Sequence, residues 1–287
     1  MPDYVDWFVD RDKQFQGFLK MLARETPKSI MLVESPSDMG KTWLLQKMRH
    51  HCAGNGVPVL YVDFRDRRPY DYLSLVRLAR DQMGGGHFNP LTAAINSFTG
   101  VNITLSTAGG SGGVSVGDGA TAQAQDIAGR DIIKDNQFFI QADSDVSRRA
   151  AEIQINDSFF ACLAALLEEK KNAVFLFDSY EEVAPEAEAW LRDNLLFRAR
   201  ENQLAGVVVI IAGRKVIEPG TEEKEYVART GLDLFTEEDV REYISGRRKI
   251  TELDLQTVIK TSGGMPGLLA KMADVAAIDK QSDAEWL

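Results

Sequence analysis

The sequence SIMLVESPSDMGKT occupies residues 29–42 and has the pattern of a strand, a tight loop and the start of a helix. The apolar run from Ile30 to Val33 predicts a buried parallel strand, and a helical pattern follows Thr42. Loops of this kind bind phosphate, because their backbone N–H groups and the positive end of the next helix attract phosphate oxygens. Lys41 would then reach the β and γ oxygens, and the Thr42 hydroxyl would hold Mg²⁺.

The loop departs from the strict phosphate-binding pattern at its first position, where Ser35 replaces glycine and Pro36 follows. An ordinary strand, turn and helix is therefore the alternative interpretation of this stretch. On the phosphate-binding interpretation, nine consecutive residues contact the nucleotide. They are Ser35, Pro36, Ser37, Asp38, Met39, Gly40, Lys41, Thr42 and Trp43.

Composition limits the classes of function. With 33 Lys and Arg against 43 Asp and Glu, the net charge is −10, which argues against broad nucleic-acid binding. Cys52 and Cys162 lie in apolar helical patterns, so we expect buried free thiols. No stretch of about 18 apolar residues occurs, and the first residues carry neither a basic nor an apolar segment. We expect no membrane contact and a cytoplasmic location.

Continuous apolar runs alternate with helical patterns along the chain, which predicts an α/β fold with a five-stranded, mostly parallel, doubly wound sheet. We expect a core domain over residues 1–234 and a small helical lid subdomain over 235–287. Residues 85–145 are rich in Gly, Ala and Ser and interrupt the core. Because such glycine density does not support a helix, this insertion is either a mobile linker or, as we favour, an arm of short strands and turns.

A nucleoside triphosphatase needs a carboxylate at the end of a second buried strand, to hold the magnesium ion opposite Thr42. The run Val174 to Asp178 provides one. Glu181 follows three residues later and would polarise the attacking water, with Glu182 as the competing candidate. The order of these residues along the chain strengthens the phosphate-loop interpretation.

The next apolar run ends at Gly213 and Arg214. A cation at the carboxyl edge of such a sheet lies beside the γ-phosphate, so Arg214 would sense the triphosphate or stabilise its transition state. The alternative is a surface arginine in a turn. The predicted catalytic residues are therefore Lys41, Glu181 and Arg214, and the predicted metal ligands are Thr42 and Asp178.

Five ordered motifs resemble those of the STAND branch of the AAA-type ATPases, which are signal-transduction ATPases that include many bacterial regulators and defence proteins. The resemblance covers residues 7–84 and 146–277. In chain order the motifs are Phe8-Val9-Asp10-Arg11-Asp12, GKT at 40–42, FDSYEE at 177–182, IIAGR at 210–214 and GGMPGLL at 263–269.

The resemblance implies a P-loop NTPase fold and the use of ATP, ADP and Mg²⁺. It also implies that the segments Val9-Asp10-Arg11 and Gly264-Met265-Pro266 contact the adenine, with Val9, Arg11 and Pro266 as the predicted binding residues. Pro266 would link nucleotide state to the angle between the sheet and the helical subdomain. Asp10 stands where the family usually has glycine, and Ser179 fills the position after the strand aspartate. Together with Ser35, these departures leave the rate of hydrolysis open.

We expect a molecular switch that binds ATP, hydrolyses it slowly as a Mg²⁺-dependent ATPase, self-associates with ATP bound and signals to a separate effector or sensor protein. The chain has no internal repeat of the kind that forms sensor arrays in the family. Two alternatives are a pseudo-ATPase scaffold and an AAA-type ATPase that acts on DNA. The acidic charge argues against the second.

Overall fold

The structure is a computed structural model that describes residues 4–66, 71–98, 145–200, 203–220 and 224–285. The chain forms two compact units. The first unit comprises Met1–Gly84 and Leu166–Leu287, and the second comprises Gly85–Ala165.

A five-stranded sheet forms the centre of the first unit. Its strands are β1 (Ile30–Glu34), β2 (Val59–Asp63), β3 (Ala173–Asp178), β4 (Val207–Gly213) and β5 (Val227–Thr230). Their spatial order is β2-β3-β4-β1-β5, and every neighbouring pair is parallel. Strands β3 and β4 are buried over their whole length, as their unbroken apolar sequences require. The predicted α/β fold with five parallel strands is confirmed.

The fifth strand has only four residues and pairs with β1 from Ile30 to Val33. Beyond β5, the Leu232 N–H donates a hydrogen bond to Ser35 Oγ instead of continuing the ladder.

Ten α-helices are present in the described part of the chain. They are α1 (Asp12–Leu22), α2 (Lys41–Gly54), α3 (Tyr72–Met83), α4 (Asn89–Phe98), α5 (Asp145–Lys170), α6 (Pro185–Trp190), α7 (Phe197–Arg200), α8 (Glu237–Arg241), α9 (Leu255–Ser262) and α10 (Pro266–Glu285). Two π-helical segments, Leu191–Leu196 and Glu242–Arg247, continue α6 and α8. Helices α1 and α2 pack on one sheet face, where Phe18, Met48, Leu176 and Ile210 share a buried cluster.

Helices α8 to α10 have a hydrophobic cluster of their own. It contains Val240, Tyr243, Ile244, Ile250, Val258, Leu269 and Ala273. Trp7 and Val9, from the segment before α1, pack against this cluster. The beginning of the chain therefore contacts the helices near its end, while the domain boundary between residues 234 and 235 stays a prediction.

In the second unit, α4 corrects our expectation that glycine excludes helix from residue 85 onward. After the three glycines at positions 84–86, no glycine occurs again until Gly100. Within α4 itself, Leu91, Ala94 and Ile95 recur at helical spacing and are buried. The rest of the predicted arm or linker, residues 99–144, lies outside the described part of the chain.

By length and composition alone, one helix of the described residues, Arg149–Lys170, is apolar enough to cross a membrane. Its buried residues Ile155, Phe159, Leu163 and Leu166 recur at helical spacing. This pattern is also typical of the core helix of a soluble protein, so the helix alone is not evidence for a membrane-spanning segment. The expected absence of membrane contact and the cytoplasmic location stay predictions.

Candidate functional site

A cavity of about 550 Å³ lies in the first unit, where the loop after β1 meets the carboxyl ends of β3 and β4 and the start of α10. Ligands of open parallel sheets bind at this edge, and sites for small molecules measure about 300–1,000 Å³. The lining residues are Trp7, Phe8, Val9, Arg11, Ser37, Asp38, Met39, Gly40, Lys41, Thr42, Trp43, Arg65, Asp178, Ser179, Glu181, Glu182, Arg214, Phe235, Tyr243, Pro266, Gly267 and Ala270.

The loop between β1 and α2 forms one end of this cavity. Gly40 directly precedes α2 with φ of 89°, in the left-handed region that glycine favours. The Lys41 ammonium donates hydrogen bonds to the carbonyl oxygens of Ser35 and Pro36, both at 2.6 Å. Burial lowers the pKa of Lys41, and the Glu181 carboxylate opposes this shift. The amine is therefore held over the loop, where phosphate oxygens would compete with two carbonyls for its protons.

Ser35 and Pro36 are not among the residues that line the cavity, although Ser37 to Trp43 are. Ser35 is 5% exposed, and its side chain connects the end of β1 with the segment that follows β5. Its hydroxyl donates to the Glu34 carbonyl and accepts the Leu232 N–H, both at 2.6 Å. Because its φ is not positive, serine takes the place of the usual glycine without backbone strain.

The predicted metal ligands are adjacent. Asp178 ends β3 with 1% exposure, and the Thr42 side chain lies near its carboxylate. Asp178 Oδ1 accepts the Ser179 N–H at 2.8 Å, and Oδ2 accepts the Tyr61 hydroxyl at 3.1 Å. Burial raises the pKa of Asp178, and these hydrogen bonds oppose the shift. A cation at this position would offset the cost of burying the carboxylate.

The predicted catalytic pair, Glu181 and Arg214, is joined directly. Arg214 Nε donates to Glu181 Oε1 at 2.7 Å, and the Arg214 backbone N–H donates to Oε2 at 2.8 Å. Burial by itself would raise the pKa of Glu181, but the hydrogen bonds from Arg214 outweigh this effect, so that the pKa is lowered overall. Glu182 also contacts Arg214, at 3.2 Å. Both oxygens of Glu181 are thus engaged, and a water molecule would have to share one of them.

Gly213, the last residue of β4, permits this arrangement. A Cβ atom at Gly213 would lie 2.7 Å from Glu181 Oε2 and 2.6 Å from the Lys215 carbonyl oxygen. No side chain fits between the end of β4 and the Glu181 carboxylate.

The other end of the cavity is largely aromatic and aliphatic. Of the residues predicted to contact adenine, Val9, Arg11 and Pro266 all line the cavity. Several other lining residues had no predicted role, namely Trp7, Phe8, Phe235, Tyr243, Gly267 and Ala270. Only Phe8 and Gly267 stood inside quoted motifs. The rest lie in segments far apart along the chain, and no spacing rule relates them.

Arg65 is a further cation at the cavity that the sequence analysis missed. It follows β2, and its Nε and Nη2 donate to the Asp63 carboxylate at 3.0 and 2.6 Å. An Asp-x-Arg spacing at a strand end was its one available signal.

Arg11 connects three segments around the cavity. Its guanidinium, 4% exposed, donates to the Met39 carbonyl at 3.1 Å and to the Asp233 carbonyl at 2.6 Å. It also pairs with Asp10 at 2.5 Å and lies 5.0 Å from the centre of the Phe235 ring. Through these contacts Arg11 joins the segment before α1 to the phosphate loop and to the chain after β5.

Asp10 and Arg11 have φ values of 60° and 70°, both in the left-handed region. This conformation explains why glycine would suit position 10, and aspartate is among the residues that tolerate it. Aspartate at position 10 can therefore adopt the backbone conformation that glycine would adopt there.

The loop also contacts the start of α10 directly. The Gly267 N–H donates to the Asp38 carbonyl at 2.8 Å, which satisfies a free donor of the helix. A Cβ atom at Gly267 would lie 2.6 Å from the Asp38 Cβ. Gly267 thus allows close approach of the loop and α10, beside Pro266.

No protein-family model and no curated protein matches the chain. Among solved structures, the chain is similar to the Walker-type ATPase PABY2304 of Pyrococcus abyssi, with 13% sequence identity and a TM-score of 0.50. The similarity covers 91% of this chain and 65% of that protein, so the chain spans about two thirds of its length. The chain has the α/β fold of a Walker-type ATPase, with a five-stranded parallel sheet.

Proposed function

We propose that the cavity binds ATP or ADP with Mg²⁺ and that the chain is a slowly hydrolysing nucleotide switch. The observation that carries the proposal is the convergence of Lys41, Thr42, Asp178, Glu181 and Arg214 on one end of a single cavity. This set contains a phosphate-binding cation, two metal ligands, a carboxylate for the attacking water and a second cation. The aromatic and aliphatic end has the character of a site for a nucleobase.

Slow hydrolysis follows from the contact between Glu181 and Arg214. Glu181 would polarise water well only with a free carboxylate oxygen, and Arg214 engages both oxygens. A γ-phosphate that attracts Arg214 would release Glu181. If this release does not occur, the chain binds nucleotide without hydrolysis and acts as a pseudo-ATPase scaffold.

The switch would operate through two contacts of the phosphate loop. Asp38 bonds the start of α10, and Met39 is bonded by Arg11. Since phosphate binding engages the backbone of this loop, ATP and ADP can favour different positions of the helices after residue 235. We further propose self-association in the ATP state and a separate effector or sensor protein, as in STAND-type regulators of bacterial signalling and defence. The net charge of −10 leads us to propose no nucleic-acid partner.

The test is calorimetry of the purified chain with ATP and ADP in the presence of Mg²⁺, together with phosphate release and mass measurement in each nucleotide. Lys41→Ala should weaken ATP binding roughly 10- to 100-fold, because a charge-assisted hydrogen bond contributes about 1.5–3 kcal/mol. Lys20→Ala, an exposed lysine of α1, is the matched control and should bind as the wild type does. Equal affinity of the Lys41→Ala and wild-type proteins would refute the proposal.

A further inference from the structure

Tyr61 lies beside the candidate metal site, on a strand that belongs to none of the quoted motifs. It is the third residue of β2, which is an edge strand of the sheet and pairs with β3. Its hydroxyl donates to Asp178 Oδ2 at 3.1 Å. With the Ser179 N–H on Oδ1, both oxygens of the Asp178 carboxylate have a protein donor.

The Tyr61 side chain is itself held in place by α2, the helix that carries Thr42. The Gln46 side chain of α2 lies near the Tyr61 hydroxyl. The Arg49 guanidinium lies 5.3 Å from the centre of the ring. A cation at this distance from an aromatic face is attracted to it. The hydroxyl therefore approaches Asp178 from a ring that α2 restrains.

The backbone of Tyr61 is also restrained. An edge strand leaves N–H and C=O groups without a neighbouring strand. At Tyr61 the Gln82 side chain of α3 takes that place: Oε1 accepts the Tyr61 N–H at 2.9 Å, and Nε2 donates to the Tyr61 carbonyl at 3.1 Å. One amide group thus completes both backbone hydrogen bonds of this residue.

We propose that Tyr61 is a positioning residue for the magnesium site: its hydroxyl orients the Asp178 carboxylate toward the cation, and Gln82 holds Tyr61 in register. This inference rests on the proposed binding of Mg²⁺ and nucleotide. The physical reason is that a buried carboxylate can rotate about its side-chain bonds, and a hydrogen bond to one oxygen fixes which lone pairs face the metal. Partners of this kind typically contribute about 10- to 100-fold to metal affinity.

The alternative is a tyrosine that only stabilises the fold, and Mg²⁺ titration separates the two roles. Wild type and Tyr61→Phe are titrated with ATP in EDTA and then with Mg²⁺ at fixed ATP. We expect ATP affinity without metal to stay within about twofold of wild type, and the apparent Mg²⁺ affinity to fall about tenfold. Tyr180→Phe is the matched control, since its hydroxyl contacts Glu188 at 3.4 Å, and it should leave the Mg²⁺ affinity unchanged.

Gln82→Ala provides a second variant that keeps the Tyr61 hydroxyl, and it should lower Mg²⁺ affinity in the same direction by a smaller factor. This variant decides the question if Tyr61→Phe does not fold. Wild-type Mg²⁺ affinity in Tyr61→Phe, or in Gln82→Ala when only that variant folds, overturns the proposal. So does an equal loss of ATP affinity with and without metal. If the wild type binds no nucleotide in either condition, the proposed function itself fails and the inference falls with it.

Discussion

Replacement of Arg11 by methionine tests how the segment before α1 supports the phosphate loop. Methionine keeps part of the side-chain volume but donates no hydrogen bond. The carbonyl groups of Met39 and Asp233 would lose their donor, and the ion pair with Asp10 would be lost. An unpaired buried acceptor costs about 1–3 kcal/mol, and the contact with Phe235 contributes up to about 1 kcal/mol.

Part of that loss is offset, because burial lowers the pKa of Arg11 and the charged guanidinium no longer has to be desolvated. We therefore expect the free energy of unfolding of the first unit to fall by about 2–4 kcal/mol. Urea unfolding followed by tryptophan fluorescence measures this unit, since it contains Trp7, Trp43 and Trp190.

Arg24→Met is the control. Arg24 is exposed and donates one hydrogen bond, to the Lys171 carbonyl at 2.6 Å, so its loss should cost at most about 0.5–1 kcal/mol. Arg11→Met should also weaken ATP binding, because Met39 belongs to the phosphate loop. The reasoning is refuted if Arg11→Met unfolds within about 0.5 kcal/mol of wild type, or if the two substitutions cost the same.

Two further predictions concern buried groups of the first unit. Ser35→Gly should destabilise the chain by about 1–2 kcal/mol, because the buried Leu232 N–H loses its acceptor. Its ATP affinity should not rise, since Ser35 does not line the cavity; a tenfold gain measured by calorimetry would contradict this. Burial raises the pKa of Cys52 from 9.0 to about 12, so in a Cys162→Ala background a thiol reagent at pH 8 should label Cys52 only in urea. The Cys52 thiol ionises at lower pH in the unfolded chain than in the folded chain. The stability that its burial as a neutral thiol contributes is therefore present below pH 9 and is lost as the pH rises toward 12. Rapid labelling of Cys52 in the native protein would contradict its burial.

Local sequence was sufficient for much of the fold. The sequences of β1, β3 and β4 are continuous apolar runs, without alternation of apolar and polar residues. Such runs predict strands that are buried on both faces of a parallel sheet. The end of each run also placed a polar residue at one edge of the sheet, because parallel strands end on the same side. The sequence alone therefore predicts that Lys41, Asp178 and Arg214 lie at one edge of the sheet. Helix α4 was missed, since a composition averaged over residues 85–145 concealed ten residues with helical spacing.

The amino-acid sequence by itself determined the succession of strand, loop and helix needed for a phosphate loop, the consecutive residues of that loop and the charged groups at the end of the later strands. Tertiary structure decided what these groups do to one another. It paired Glu181 with Arg214, directed the Ser35 hydroxyl away from the cavity, placed Tyr61 on Asp178 and assembled Trp7 with Tyr243 from distant segments. The physical reason is that strand and helix periodicity act over a few neighbouring residues, whereas hydrogen-bond partners and cavity walls depend on how whole elements pack.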